Sequence, residues 1–252
     1  MQYTGGKSFT IARHGMGDFW REYLAANTVK RFIDVCCGSG AVATLIGKER
    51  SDIELVCNDL HPAPVVLLRA VAQEGWEPPT DLTEDEYKDL QAQDKAGEIT
   101  PLSGFAGFGC SFGGKYFGGY ARQKGYNFAK SAAKVLKRDA PHLAHAQFHN
   151  LDYAALPDVI GVRDGDVWYN DKPYAGTTGY KGTPKFDEAR FWTWAAEMSK
   201  RVPVLVSEFA APDGWDEIWS VKRYVVLTGG RNAATTRRVD CVFTRSASRG
   251  AL

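Results

Sequence analysis

The chain has 252 residues, of which 44% are hydrophobic and 24% are charged, proportions that are ordinary for a soluble globular protein. Its formal net charge of +1 excludes a uniformly basic surface, so any affinity for nucleic acid must come from a local patch. No apolar run approaches the roughly 18 residues of a membrane span, and no signal peptide is recognisable. We therefore expect a cytoplasmic protein built from one α/β domain with a smaller inserted subdomain.

The five cysteines form no Cys-x-x-Cys pair and no cluster with histidine at zinc spacing. Cys36, Cys37 and Cys57 fall in or just after apolar runs, where a reduced cysteine behaves as a small buried hydrophobic residue. We expect neither a metal site nor disulfide bonds.

The first patterned segment is Tyr3-Thr-Gly-Gly-Lys7, in which two glycines precede a lysine. Gly6 lets the backbone approach a ligand closely, and Lys7 offers a cation for a carboxylate. A flexible terminus would have the same composition, but we assign both residues to the cofactor site.

The segment 29–42 predicts a strand that contains Asp34, then a glycine turn and a helix. Gly38 and Gly40 supply the tight turn and close backbone approach that a nucleoside cofactor requires at a first βα junction. The segment resembles the S-adenosylmethionine loop of methyltransferases, because Ala43 stands where a dinucleotide-binding motif has its third glycine. A cofactor without a pyrophosphate does not need that turn, so we expect S-adenosylmethionine and not NAD, with Asp34, Gly38 and Gly40 in its binding site.

A second strand, 52–59, ends in Asp59, about 20 residues past the glycines. A carboxylate at this point can accept hydrogen bonds from both ribose hydroxyls of a cofactor. The alternative is that Asp59 caps the helix beginning near His61 and Pro62. The spacing favours ribose binding.

From 76 to 143 the composition changes, which predicts an inserted and mostly helical subdomain between the two halves of a catalytic domain, 1–75 and 144–252. Thr83 opens a polar helix with a capping-box pattern. The segment 104–120 alternates glycines with aromatic residues, which predicts an adaptable loop that offers stacking faces.

The helix after this loop indicates a basic surface. Phe128, Ala132 and Val135 share one face of a helical wheel, and lysines fall on the opposite face. Seven basic residues follow one another without an intervening acid: Lys115, Arg122, Lys124, Lys130, Lys134, Lys137 and Arg138. Such a cluster is typical of a surface that contacts phosphates, although an ordinary solvated helix would also fit.

The segment 166–180 contains the strongest candidate for an active site. A short buried strand, 167–170, ends in Asp171, Lys172, Pro173 and Tyr174, followed by a Gly/Thr loop. Ligands bind at the carboxyl ends of strands in open α/β sheets, so this carboxylate and ring are well placed for catalysis. A polar turn without function is the alternative.

Together these motifs resemble the Dam-type adenine-N6 DNA methyltransferases, in family order and over roughly residues 3 to 245. The segment from Asp171 to Tyr174 is similar to the Asp-Pro-Pro-Tyr motif of that family, with Lys172 in place of the first proline. The resemblance implies that the Asp171 carboxylate and the Lys172 backbone carbonyl accept hydrogen bonds from the target amine, and that Tyr174 stacks on a flipped adenine.

The resemblance also assigns the remaining residues. Asp152 would contact the adenine of the cofactor, while 76–143 would recognise double-stranded DNA.

His149 is expected to be structural. The lysine at 172 adds a cation that would bridge to Asp171 or reach a DNA phosphate. Lys172→Pro is expected to change turnover only modestly.

The predicted fold is a Rossmann-like methyltransferase sheet, mostly parallel, closed by an antiparallel pair of strands at 222–227 and 238–244. Five further residues near this pair could touch the DNA backbone: Gly229, Gly230, Arg231, Arg237 and Arg238. Two other functions stay open: a cytosine-N4 methyltransferase, and a catalytically silent DNA-binding module, which Lys172 brings into consideration. We expect a monomer, although the sequence does not determine the oligomeric state.

Overall fold

The computed structural model describes residues 6–174, 185–226 and 235–245. Its centre is a seven-stranded sheet with the order β3-β2-β1-β4-β5-β7-β6. The strands are β1 (Arg31–Asp34), β2 (Glu54–Asn58), β3 (Gln147–His149), β4 (Asp166–Asn170), β5 (Val204–Glu208), β6 (Asp216–Val226) and β7 (Thr235–Thr244). β7 runs antiparallel to both of its neighbours, and the other strand pairs are parallel. The predicted mostly parallel sheet with its terminal antiparallel hairpin is confirmed.

Nine α-helices are present in the described ranges. They are α1 (Ser8–Arg13), α2 (Met16–Ala26), α3 (Ala41–Glu49), α4 (Pro62–Gln73), α5 (Glu84–Lys95), α6 (Pro101–Gly104), α7 (Phe128–Asp139), α8 (Leu156–Ile160) and α9 (Glu188–Met198). Local sequence explains several helix starts. Thr83 forms the predicted capping box before α5, and Asn127 and Asp187 cap α7 and α9 through their side chains. No described helix has the length and hydrophobicity required to cross a membrane.

The central strands β1, β2, β4 and β5 are buried on both faces of the sheet. Successive residues of each strand point to opposite sides, and both sides are covered by helices. Phe32 and Tyr169 pack on one face with residues of α2, α3 and α4. Ile33 and Trp168 pack on the other face with residues of α8 and α9. This explains why the central strands are nearly continuous runs of hydrophobic residues.

The expectation of an adaptable loop at 104–120 is wrong. Its aromatic residues Phe105, Phe108, Tyr116 and Phe117 are buried in the same hydrophobic cluster as α3 and α4. A Cβ atom added at Gly107 would lie 2.3 Å from a ring carbon of Tyr116, so this glycine allows close packing. Phe112 is the one ring of the 104–120 segment that is strongly exposed, at 74%. The boundaries of the subdomain at 76 and 143 stay a prediction.

A buried ion pair fixes β1 against β4 at the edge of the sheet where both strands begin. Arg31 donates to both carboxylate oxygens of Asp166, at 2.8 and 2.7 Å, and also to the backbone carbonyls of Ile160 and Gly161. The two charged side chains are 2% and 1% exposed. The pair joins directly opposed residues of β1 and β4, at the ends of these strands that lie away from the candidate site.

Candidate active site

Three carboxylates meet at the carboxyl ends of the central strands. Asp34 ends β1, Asp59 follows β2, and Asp171 follows β4. Burial raises the pKa of each of them, and it raises that of Asp59 to about 6. The charge of Asp171 further raises the pKa of both Asp34 and Asp59. The three acids therefore lie close enough at this edge of the sheet to influence one another's ionisation.

The glycine turn after β1 lies directly against Asp59. Gly38 and Gly40 have φ angles of 48° and 68°, in the left-handed region that favours glycine. The Gly38 N–H donates to Asp59 Oδ2 at 2.8 Å, and the His61 N–H donates to Oδ1 at 2.8 Å. His61, and not Asp59, is the N-cap of α4, because its Nδ1 accepts from Ala63 N–H at 3.2 Å. The structure thus brings together the glycines and the acid that the sequence assigned to one cofactor site.

Asp34 is the most deeply buried of these acids. It is 2% exposed, and its Oδ1 has no hydrogen-bond partner among the described residues. A buried carboxylate oxygen requires a donor or a positive charge. Such an atom beside the glycine turn suits a cofactor that carries a sulfonium and an amine.

Lys7 and Asp171 form an ion pair at the end of β4. Lys7 is the N-cap residue of α1, and the two side chains are 5% and 17% exposed. Burial lowers the pKa of Lys7, but the Asp171 carboxylate more than offsets this, so the pKa lies above its ordinary value. The Lys7 ammonium also lies 4.8 Å from the ring centroid of Tyr174. The lysine assigned to the cofactor therefore contacts the predicted catalytic residues.

The Tyr174 ring stands beside this pair. It packs edge-on against Phe209, with the ring centroids 4.6 Å apart. Burial raises the pKa of the Tyr174 hydroxyl, while Lys7 opposes that shift. Pro173, which lies between Lys172 and Tyr174 in the sequence, is half-buried. An aromatic ring is thus fixed near the carboxylate, as stacking on a planar substrate requires.

The expectation that the Lys172 cation bridges to Asp171 or reaches a phosphate is wrong. Lys172 is 1% exposed, and its Nζ donates to Glu208 at 2.5 Å and to Glu188 at 3.0 Å. Neighbouring residues at a strand end point to opposite faces, so Lys172 enters the face covered by α9 while Asp171 faces Lys7. Glu188 and Glu208 are residues that the sequence analysis missed. An acid at the end of an otherwise apolar strand, as in Val204–Glu208, is the signal that could have identified one of them.

Asp152 is engaged by an arginine. Arg190 of α9 donates to both of its carboxylate oxygens at 2.9 Å, and the guanidinium lies 5.0 Å from the ring centroid of Tyr153. Burial raises the pKa of Asp152, but Arg190 outweighs burial and the pKa is lowered. The nearby Asn150 amide donates to the Asp59 and Leu60 carbonyls, which places this segment beside the second strand. The adenine contact predicted for Asp152 stays a prediction.

The basic surface at 115–138 is partly neutralised. Arg122 pairs with Glu84, Lys137 with Glu77, and Arg138 with the adjacent Asp139. In the segment 115–138, which is described throughout, four exposed lysines have no ion-pair partner: Lys115, Lys124, Lys130 and Lys134.

The buried face of α7 differs from the predicted one. It consists of Ala129, Ala132, Ala133 and Leu136, while Phe128 and Val135 are half-buried beside a groove against α1. The small alanines let α7 approach the 105–109 turn closely, which shifts the helix from the expected orientation.

Some predicted residues lie outside the described part of the chain. They are the Gly/Thr loop from 175 to 180 and the residues Gly229, Gly230 and Arg231. Arg237 and Arg238 belong to β7. All five cysteines are free thiols. Among the described residues, no group of His, Cys, Asp and Glu is arranged to hold a metal ion.

Comparisons with known proteins give short or distant similarities. No protein-family model matches the chain. A release factor glutamine methyltransferase from Clostridium acetobutylicum is 44% identical over 41 residues, which are 16% of this chain and 14% of that protein. The chain therefore aligns with only a small part of this curated relative, and its activity does not transfer.

Two solved structures are similar at low identity. TrmN from Thermus thermophilus aligns with 91% of this chain and 48% of its own, at 10% identity and a TM-score of 0.38. An S-adenosylmethionine-dependent O-methyltransferase from Thermotoga maritima aligns with 94% of this chain and 67% of its own, at 8% identity and a TM-score of 0.37. The fold class rests on the strand order and not on these scores, which leave the substrate open.

Proposed function

We propose that the protein is an S-adenosylmethionine-dependent DNA adenine-N6 methyltransferase. One observation carries the proposal: the buried Asp171 carboxylate stands at the end of β4, next to β1 and its glycine turn. The sheet order reverses between β1 and β4, and ligands of open α/β sheets bind at such a point. A hydrogen-bond acceptor and a nucleoside-binding turn are thus adjacent.

The residues beside Asp171 suit the cofactor, which supplies an electrophilic methyl group when bound. Gly38 and Gly40 let the backbone approach a nucleoside, and Asp59 offers acceptors to ribose hydroxyls. The raised pKa values of Asp34 and Asp59 mark a pocket where additional positive charge is favourable. Arg190 already donates to both carboxylate oxygens of Asp152. To accept a hydrogen bond from the adenine amine, Asp152 would share an oxygen with Arg190 or break one of these bonds.

Asp171 and the Lys172 backbone would activate the target amine. An exocyclic amine is a poor nucleophile while its lone pair is conjugated with the ring. Acceptors that bind the amine hydrogens favour a tetrahedral nitrogen, whose lone pair can then attack the methyl group. The Lys7 ammonium binds Oδ1 of Asp171 in this structure, so an incoming amine would share the carboxylate with it or displace it. Tyr174 would hold the base by stacking.

Lys172 is the departure from the family motif that favours a silent module. Its ammonium pairs with Glu208 and Glu188 and does not neutralise Asp171. The backbone carbonyl that the mechanism uses is the same for lysine as for proline. This position therefore supports an active enzyme over a silent one.

The DNA surface would lie on the 112–134 region. The unpaired lysines Lys124, Lys130 and Lys134 are exposed there, as are the rings of Phe112 and Tyr126. Lysines contact phosphates and aromatic rings stack on unpaired bases. A nearly neutral protein with this local patch is suited to double-stranded DNA.

A second candidate substrate is a glutamine side chain of a protein. The stretch that is 44% identical to a release factor glutamine methyltransferase favours it. The lone pair of an amide nitrogen is also conjugated, so it requires the same hydrogen-bond acceptors as an exocyclic amine. The N4 amine of cytosine is a third candidate substrate, because it too is a conjugated exocyclic amine.

Mass spectrometry of the products separates these functions. The protein is incubated with S-adenosylmethionine and either mixed-sequence duplex DNA or a release factor, and the nucleosides and peptides are then analysed. We expect N6-methyladenine from wild type and none from Asp171→Ala. Asp164→Ala, which removes a fully exposed carboxylate before β4, is the control and should retain activity. N4-methylcytosine, a methylated glutamine or no methylated product would each contradict the proposal.

A further inference from the structure

Lys172 stands at the centre of a buried charge cluster that joins three elements. It follows β4, and its ammonium binds Glu208 at the end of β5 and Glu188 at the start of α9. The Lys172 and Glu208 side chains are 0% and 3% exposed. Three rings surround the ammonium at 5.5 to 5.6 Å from their centroids, those of Phe186, Phe191 and Trp192.

Each charge in the cluster has a physical reason to stay in place. A buried ammonium is costly unless it is paired and hydrogen-bonded. Glu208 also accepts the Phe209 N–H at 2.8 Å, which orients its carboxylate. Glu188, in the first turn of α9, is favoured there by the helix dipole. Removing the lysine would leave Glu208 buried without this cation, so the cluster constrains where the Lys172 side chain can lie.

We propose that Lys172 is a positioning residue whose ion pairs to Glu208 and Glu188 hold the backbone acceptor beside Asp171. The inference rests on the proposed function. In the family motif a proline at this place fixes its own φ angle and restricts the preceding residue. Lysine has no such stiffness, and the cluster restrains the same backbone from the opposite face of the sheet. Lys172→Pro therefore removes the restraint and takes the Lys172 cation away from the buried Glu208 carboxylate. We expect a large loss of turnover in place of the modest effect expected from the sequence alone.

Positioning predicts a specific kinetic signature. The acceptor pair acts on the amine during methyl transfer, while the cofactor pocket and DNA surface use other residues. Loosening the cluster should therefore lower the rate of transfer and leave the cofactor Kd unchanged. A cluster that only stabilises the fold would lower the melting temperature without changing the rate of the folded enzyme.

The test uses the full chain with the double variant Lys172→Met/Glu208→Gln. This variant removes both charges of the closest pair and keeps an acceptor for the Phe209 N–H. Single-turnover methyl transfer is measured well below the melting temperature, with the cofactor Kd from calorimetry. We expect a transfer rate about 10- to 100-fold lower with an unchanged Kd. A rate equal to wild type would overturn the inference.

Two matched variants separate positioning from stability. Arg31→Met/Asp166→Asn removes the other buried ion pair at the opposite edge of the sheet and should cost stability without lowering the transfer rate. Glu188→Gln is milder, because Glu188 is 36% exposed, and it should lower the rate even if the double variant fails to fold. An unchanged rate in Glu188→Gln, with the double variant unfolded, would also overturn the inference.

A readout without catalysis keeps this inference distinct from the proposed function. Amide hydrogen exchange of peptides covering 166–174 should be faster in the double variant and unchanged in Arg31→Met/Asp166→Asn at residues 171–174. If wild type transfers no methyl group, the proposed function fails while exchange still decides whether the cluster restrains this backbone. Equal exchange in wild type and the Lys172 variants would reject the restraint itself.

Discussion

Asp171 and Lys172 are adjacent in sequence, yet their charged groups lie on opposite faces of the sheet. Asp171 contacts Lys7 of the N-terminal segment, and Lys172 contacts the α9 side. The alternation of a strand, continued past its last residue, is sufficient to explain this. Two lysines therefore have opposite relations to the site: Lys7 competes for the catalytic carboxylate, and Lys172 supports its backbone.

Removing Lys7 should shift the pH dependence of methyl transfer. Burial raises the pKa of Asp171 and the Lys7 ammonium lowers it, so Lys7→Met raises that pKa further. The ionised carboxylate accepts the amine hydrogens, so the acidic limb of the pH–rate profile should move to higher pH. Lys30→Met, at a lysine with a 65% exposed side chain, is the control. An acidic limb at the same pH in wild type and Lys7→Met would contradict this role.

Asp59 should contribute to the pH dependence of the stability of the fold. Its pKa is raised from 3.8 to about 6, so the folded state binds a proton more tightly than the unfolded state does. Its contribution to stability is therefore greatest at low pH and falls as the pH rises from about 4 to about 6. Asp59→Ala should reduce this slope in urea unfolding measured across that range.

The same variant tests the ribose contact. Asp59→Ala should weaken S-adenosylmethionine binding by about 1.5–3 kcal/mol, the scale of hydrogen bonds to a charged group. Calorimetry on the folded variant measures this loss, with Asp164→Ala as the control. An unchanged Kd would remove Asp59 from the cofactor site.

Part of the site could be predicted because its residues are local in sequence. Gly38 and Asp59 lie on one strand–turn–helix–strand unit, so their spacing alone implies that they meet. The partners of Lys172 are 16 and 36 residues away, at the start of α9 and the end of β5. Their contact depends on how β5 and α9 pack beside β4, which no local pattern specifies.

At the scale of elements, the segment 104–120 shows where pattern analysis fails. Alternating glycine and aromatic residues predict a loop when propensity alone is considered. In the structure Gly107 and Gly109 admit Tyr116 and Ala132 at distances that a Cβ would not allow. The strand at 167–170 and the capped start of α5 were predicted correctly because their signals are local, whereas this segment is ordered by tertiary packing.

The two faces of α7 lead to a prediction about DNA binding. Lys130 and Lys134 are exposed without an ion-pair partner among the described residues, whereas Lys137 pairs with Glu77. Lys130→Ala/Lys134→Ala should flatten the slope of log affinity against log salt by about 0.9 for each lost phosphate contact. Lys137→Ala, on the same helix, should change the slope less. An unchanged slope in the double variant would make α7 an ordinary solvated helix.

For the whole molecule, the sheet order places the candidate site between two hydrophobic cores. One core contains the N-terminal helices and the 76–143 segment, and the other contains α8 and α9. Lys7 contacts Asp171 from the side of the first core, and the Lys172 side chain points into the second. The sequence predicted a mostly parallel sheet with a terminal hairpin but not the strand order, because hydrophobic periodicity identifies strands and not their neighbours.

Because the proposed cofactor site spans the adjacent strands β1 and β2, its occupation should stabilise the whole fold. S-adenosylmethionine at about 100 times its Kd should add about 2.7 kcal/mol, which corresponds to a melting temperature about 5–10 °C higher. NAD should give no shift, because Ala43 replaces the third glycine of a phosphate-binding turn. Asp59→Ala should lose most of the shift. Differential scanning fluorimetry in which NAD stabilises as well as S-adenosylmethionine would contradict the assignment of the glycine turn.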